Sequence, residues 1–254
     1  MSSRPVAIVS GARRGIGLGI AKALAAEGFD LAIVDREPEA DDAVLAIETH
    51  GASAFYVPFD LAAISSHLAA VDAVAARFGR IDCLVNNAGI GAVVRGDFLA
   101  LTPLNFDHVL GVNLRGTVFF TQAVLTRMLS STGSEHPRSV INITSVSAAM
   151  ASPDRLDYCM SKAALSAFGQ GLALRLAPEK IGVFEVRPGI IRTDMTAGVS
   201  EKYDRLIGGG LVPAGRWGEA SDIGAVVASL ARGGFSFATG SVIQADGGLS
   251  IARL

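Results

Sequence analysis

Short apolar runs alternate with longer stretches in which apolar residues recur at helical spacing, along nearly the whole chain. "PVAIVS" (5–10) is too short for a helix and enters a Gly-rich turn, so it predicts a buried strand. In "GIGLGIAKALAAEGF", Ile16, Ile20, Ala23, Leu24 and Phe29 fall near one face of a helix that Gly28 would stop. The same rhythm predicts strands at 30–35, 54–59, 81–87, 138–144, 181–186 and 241–245. It predicts helices over 39–50, 64–78, 103–130, 157–177 and 219–231. Such strands read as apolar runs, as they do when helices cover both faces of a parallel sheet. The expected fold is α/β, a doubly wound parallel sheet of about seven strands in one domain spanning 1–254. The Gly-rich, irregular stretch 189–218 breaks the rhythm and is expected to form a lid inserted into that domain.

Composition narrows the classes of function. The chain has 254 residues, half of them hydrophobic and 18% charged, which excludes general disorder. A net charge of −2 gives no support for a nucleic-acid or anionic-membrane partner. No apolar run approaches the ~20 residues of a membrane span, and "MSSRPVAIVS" lacks the pattern of a secretory signal. A soluble, cytoplasmic protein is expected. Cys83 and Cys159 lie far apart without metal or disulfide spacing and read as small buried hydrophobes. His50, His67, His108 and His136 are scattered, so no metal site is expected.

Candidate chemistry gathers at the predicted C-terminal ends of the strands. In "SGARRGIG", Gly11, Gly15 and Gly17 allow a tight turn in which backbone N–H groups approach a pyrophosphate at a helix N-terminus. Asp35 ends the second strand, where an acid would receive ribose hydroxyls, and Arg36 follows it. "FDL" (59–61) places Asp60 at the end of the third strand. "NNAG" (86–89) ends the fourth with two amides that either tie backbones together or face a ligand. Tyr158 and Lys162, at i and i+4, share one helix face. A tyrosine titrates near pH 10, and a neighbouring ammonium would lower that value enough for proton exchange with a carbonyl or alcohol oxygen. Ser145 is placed to hold the same oxygen. Trp217 reads equally as a pocket wall or as an anchor for the lid, and Met195 with 198–212 is expected against substrate.

The order G-x-x-x-G-I-G, Asp60, N-N-A-G, Asn113, Ser145, Y-x-x-x-K and "RPGIIRTDM" resembles the short-chain dehydrogenase/reductase family, from Val6 to about Gly248. The resemblance implies a Rossmann-type fold binding NAD or NADP. It implies a catalytic set of Asn113, Ser145, Tyr158 and Lys162. Tyr158 would be the acid/base, and Ser145 would orient the substrate oxygen. Lys162 would lower the tyrosine's pKa and hold the ribose, and Asn113 would carry a water linking Lys162 to solvent. Cofactor contacts implied in the same way are Gly11, Arg13, Arg14, Gly15, Ile16, Gly17, Asp35, Arg36, Asp60, Leu61, Asn87, Ala88, Gly89, Tyr158 and Lys162, with Pro188, Gly189, Ile191 and Thr193 covering the nicotinamide. A homotetramer (or homodimer) packed through helices 103–130 and 157–177 is implied as well.

"VPAGRWGEASDIGAVVASLA" and "TGSVIQADGGL" resemble the 3-oxoacyl-ACP reductase branch. Glu135 and Glu179, however, stand where that branch carries positive charge. The expected activity is hydride exchange between a nicotinamide and a ketone or secondary alcohol. The substrate is a 3-oxoacyl thioester, or a small polyol, sugar or hydroxy acid. A catalytically silent dinucleotide-binding regulator is the alternative of another class. Asp35 would repel a 2′-phosphate, so NAD is the expected cofactor, with NADP allowed by Arg14 and Arg36.

Overall fold

The computed structural model describes residues 4–130 and 135–253. Seven strands, β1 (Val6–Ser10), β2 (Asp30–Asp35), β3 (Ala54–Pro58), β4 (Cys83–Asn86), β5 (Arg138–Ile143), β6 (Ile181–Pro188) and β7 (Val242–Ala245), form one sheet. Their order is β3-β2-β1-β4-β5-β6-β7, and every pairing is parallel. The apolar runs are explained by which face each side chain enters. Ala7, Val9, Leu31 and Ile33 pack under α1 (Gly15–Ala26), α2 (Asp41–Glu48) and α9 (Ala220–Ala231). Val6, Ile8, Ala32 and Val34 turn to the opposite face, under α3 (His67–Phe78), α5 (Thr117–Ser130) and α6 (Leu156–Leu176). With both faces covered, alternate residues need no polar partner.

Two expectations are corrected. The single helix expected over 103–130 is α4 (Pro103–Leu110) and α5, joined by one wide π-type turn at Gly111–Gly116. Gly116 lies against β3's exit: a Cβ there would meet the Leu61 carbonyl oxygen at 2.5 Å. A wide turn of this kind re-aims the helix and often marks a functional position; here it contains Asn113. The stretch 189–218 is not irregular throughout. It holds α7 (Asp194–Ala197) and α8 (Ser200–Gly208), and α8 packs through Ile207 and Tyr203 into a cluster with Val212 and Trp217.

Strand order reverses between β1 and β4, and the connections leave the sheet in opposite directions there, opening a crevice at the strand C-termini. Two side chains clasp that junction. The Ser10 hydroxyl accepts from the N–H groups of Asn87 (3.1 Å) and Ala88 (3.0 Å). The Asn87 amide donates to the carbonyls of Ser10 (2.9 Å) and Gly11 (3.0 Å). Asn87 therefore ties two loops together. Asn87→Ala leaves two carbonyls without their donor and is expected to lower the unfolding free energy by about 2 kcal/mol. Urea unfolding of the cofactor-free protein measures this, and an unchanged midpoint would show that the clasp contributes nothing.

Candidate functional site

The Gly-rich turn and the start of α1 form a cradle shaped for a dinucleotide. Gly11 and Gly15 have φ of 66° and 55°, a region that disfavours other residues. A Cβ on Gly17 would come within 2.1 Å of the Gly11 carbonyl oxygen, so only glycine lets the helix begin there. Helix α1 has no side-chain cap and no acidic residue in its first turn. Its leading N–H groups and positive dipole end are thus available to an anion. Asp35 is half-buried at the end of β2, and the Tyr56 hydroxyl sits on the main-chain carbonyls of Asp35 and Glu37. Burial, then the Asp35 charge, pushes the Tyr56 phenol above its ordinary value, while Arg13 nearby pulls it down. Ile16 packs into the core beside this cradle. Asp60 is exposed and accepts from the Ala62 N–H at 2.9 Å, beside buried Leu61. These residues fit an adenosine and a pyrophosphate.

The two arginines expected to admit NADP are both engaged with acids. Arg14 pairs with Asp194 of α7 at 3.0 Å, and Arg36 with Glu37 at 3.4 Å. The Arg14 pair joins the cradle to the segment after β6. There Thr193 caps α7 through a reciprocal pairing with Thr196, and its methyl would be 3.6 Å from a Cβ on Gly15. Gly189 packs on β7, donating to the Ala245 carbonyl at 3.1 Å, and Pro188 and Ile191 are buried on either side.

Across the β1/β4 crevice, α6 presents Tyr158, Lys162 and Ser166 along one face at i, i+4 and i+8. Ser145, just past β5, lies close enough to the Tyr158 phenol to lower its pKa, and its hydroxyl accepts from the Ser147 N–H at 3.0 Å. Lys162 is 4% exposed. Its Nζ donates to the Ile143 carbonyl at 3.1 Å and lies 5.8 Å from the centre of the Tyr158 ring. Burial pulls the ammonium down to about 8, against the opposing pull of Glu185. The tyrosine departs from expectation: burial pushes its pKa up, and the groups that lower it are the Ser145 hydroxyl, then Arg155 and Arg95.

Asn113 is fully buried. Its amide donates to the Ile90 carbonyl (2.9 Å) and the Ser161 hydroxyl (3.1 Å), and its Oδ1 accepts from the Ile90 N–H (2.8 Å). Both amide hydrogens are engaged, so a water linked to Lys162 would contact an Asn113 oxygen. Gly89 leaves the gap between them open; a Cβ there would sit 3.1 Å from Asn113 Oδ1 and 3.4 Å from Lys162 Nζ.

Sequence reading missed the polar layer behind Lys162. Buried Glu185 accepts from Thr144 Oγ1 (2.6 Å), Ser166 Oγ (2.6 Å) and Arg187 Nε (2.7 Å). A signal was present: an acid and a base at alternate positions inside the otherwise apolar "IGVFEVRP". Trp217 proves to be an anchor. Its indole N–H donates to Asp204 at 2.7 Å, and Tyr203 stands edge-on to it at 5.7 Å. Trp217 also lines a cleft of about 610 Å³, with Arg192, Asp204, Arg216 and Asp222 among others; Tyr158 is not in that wall. His67 is a core residue, packed edge-on against Phe59 and Phe120. Cys83 is buried with its thiol pushed up to about 12, which keeps it unreactive. Among the described residues no cluster of His, Cys, Asp or Glu could hold a metal.

Comparison with known proteins agrees with this geometry. The family model described as enoyl-(acyl carrier protein) reductase matches residues 11–250. The chain is 64% identical to a 3-oxoacyl-[acyl-carrier protein] reductase from Brucella melitensis solved in complex with NAD, with a TM-score of 0.98 over 100% of both chains. It is 34% identical over 250 residues to D-threitol dehydrogenase of Mycolicibacterium smegmatis, covering 97% of this chain and 93% of the relative. It is 30% identical to a candidate 2-deoxy-D-gluconate 3-dehydrogenase from Agrobacterium tumefaciens with bound NADP, with a TM-score of 0.85 over 96% of each chain. The chain therefore belongs to the short-chain dehydrogenase/reductase family of nicotinamide-dependent oxidoreductases.

Proposed function

We propose that the chain interconverts a ketone and a secondary alcohol with a preference for NAD(H), using Tyr158 as the proton donor and acceptor. The observation that carries this reading is the meeting of Ser145, Tyr158 and Lys162 at the far end of the cradle that α1 and Asp35 begin. A bound nicotinamide supplies or accepts the hydride at the substrate carbon. In the reductive direction the Tyr158 hydroxyl passes its proton to the carbonyl oxygen, while Ser145 holds that oxygen by a hydrogen bond. The Lys162 ammonium, still charged at neutral pH, stabilises the phenolate that remains and lies within reach of a ribose. Asn113 fixes the Ile90 loop against α6 and keeps the lysine's surroundings polar.

Asp35, with Glu37 beside it, supports NAD(H), because a 2′-phosphate would meet two carboxylates. Arg14 and Arg36, already paired, offer it little compensation. The segment 189–218 acts as the lid of one domain. A cytoplasmic homotetramer, or homodimer, packed through α4–α5 and α6 belongs to the same reading; it is supported by exposed Leu104, Phe119, Met160 and Leu174 on those helices. No helix among the described residues is long and apolar enough to cross a membrane. A free small hydroxy or oxo compound is favoured over an ACP-linked acyl group. Arg138 is turned inward to the carbonyls of Met128 (2.9 Å) and Glu179 (3.0 Å), and Arg175 is paired with Glu179 at 3.2 Å. An acidic carrier protein finds little free positive charge there.

Three outcomes follow. Tyr158→Phe should lower kcat by roughly 10²–10⁴ while NADH still binds; steady-state rates with NADH fluorescence titration check both, and a variant of wild-type activity would remove Tyr158 from the chemistry. Asp35→Ala should raise the NADP-to-NAD ratio of kcat/KM by roughly ten- to a hundredfold, and a wild type that already prefers NADPH contradicts the assignment. Lys162→Met should inactivate the enzyme yet stabilise the cofactor-free protein at pH 7 by about 1–3 kcal/mol, since it removes a buried charge. The folded-state pKa of Lys162 is depressed, so wild-type stability rises as pH climbs through about 8 toward the ordinary lysine value. The advantage of the methionine variant should shrink over that range, as thermal unfolding at several pH values would show.

A further inference from the structure

Two arginines near the Tyr158 hydroxyl, Arg155 and Arg95, belong to no ion pair among the described residues. Arg155, half-buried at the start of α6, holds its guanidinium carbon 5.5 Å from the centre of the Tyr158 ring. Arg95 is exposed in the loop that follows β4. The hydrogen bond from the Gly96 N–H to the Asp154 carbonyl, at 3.1 Å, binds its loop to the one carrying Arg155. Both cations favour the ionised form of the Tyr158 phenol, so both lie near that hydroxyl.

Neither is neutralised by a carboxylate among the described residues, as many of the other arginines are. Arg14, Arg127, Arg216 and Arg232 are matched with carboxylates. Acids do occur in these two loops, but they point elsewhere. Asp97 accepts from the Leu99 N–H at 3.1 Å, and buried Asp157 accepts from the Tyr158 N–H at 2.7 Å. Exposed Asp154 forms no ion pair with Arg155 among the described residues. A guanidinium lying over a phenol ring gains only about 0.5–1 kcal/mol from it, and its forked N–H donors stay unused. Two like charges near one hydroxyl are relieved by an anion bound between them.

We propose that Arg95 and Arg155 form an anion-binding recess that selects substrates carrying a carboxylate or phosphate within a few bonds of the reacting carbonyl. The substrate class is then a short oxo or hydroxy acid, or a phosphorylated ketone, in place of a neutral ketone or a long acyl chain. This rests on the reading of Tyr158 as the site of proton transfer. The recess fixes the end of the substrate beyond the carbonyl, and Ser145 and Tyr158 fix the oxygen itself. The carbonyl carbon is thereby oriented at two points.

Matched pairs test it: acetoacetate against methyl acetoacetate, and dihydroxyacetone phosphate against dihydroxyacetone, each with NADH. The wild type should favour one anionic member by at least about tenfold in kcat/KM, equivalent to 1.4 kcal/mol, and the favoured pair tells carboxylate from phosphate. Arg155→Gln and Arg95→Gln should each reduce that anion-to-neutral ratio several-fold, with Arg155→Lys retaining part of it. Equal use of both members, or a ratio that neither variant moves, overturns the proposal. Calorimetry on the NAD-bound protein separates this from the reaction itself. With NAD bound no hydride is available to a ketone, so acetoacetate or dihydroxyacetone phosphate should bind more tightly than methyl acetoacetate or dihydroxyacetone, and the difference should fall in Arg155→Gln. Such binding without turnover would sink the reductase reading and leave the recess standing; turnover of neutral ketones without such binding would do the reverse.

Discussion

The clasp between Ser10 and Asn87 is the constraint on which the rest of the site depends. The sheet reverses its order between β1 and β4, so the two loops leaving those strands diverge and nothing in the ladder holds them together. Four hydrogen bonds across the gap do so. On one side they fix the turn that opens α1. On the other they fix Ala88 and Gly89, against which Asn113 and Lys162 are set. The Gly-rich turn and the Ser145–Tyr158–Lys162 cluster come from distant parts of the chain and are registered to each other through this contact.

Beyond the clasp, packing and chemistry conflict, and the polar layer settles the conflict. A lysine buried against a sheet is unfavourable as a charge. Its cost is reduced by the Ile143 carbonyl and by Glu185, which is itself saturated by Thr144, Ser166 and Arg187. The result is a cation whose proton is held loosely beside a tyrosine whose proton is held tightly. Substrate and nicotinamide enter that imbalance, and it is a better description of the resting site than a phenol already poised to ionise.

Much of this was legible in the sequence, for physical reasons that differ by residue. The inner strands, buried on both faces, leave unbroken apolar runs, and the half-buried edge strands β3 and β7 still carry enough apolar residues to be readable as well. Gly17 was readable because contact with a backbone carbonyl excludes any side chain. The break at Gly111–Gly116 was not readable, because apolar spacing continues through it and the wide turn is imposed by contact with Leu61. Helices α7 and α8 were hidden by the glycines around them; α8 is held by Ile207 against Trp217, and α7 by the Thr193–Thr196 capping box. Arg95 carries no motif, and only the bond between its loop and the one before α6 brings it toward Tyr158, whereas Arg155 stands three residues before that tyrosine.

The central claim is that one crevice seats a dinucleotide from Asp35 to Tyr158. A crystal structure of the NAD complex tests it most directly. It should show the adenosine ribose hydroxyls on the Asp35 carboxylate, the pyrophosphate on the N–H groups at the start of α1, and the nicotinamide end beside Tyr158 and Lys162. A dinucleotide bound in the reverse direction, or seated in the cleft that Trp217 lines, would contradict the account.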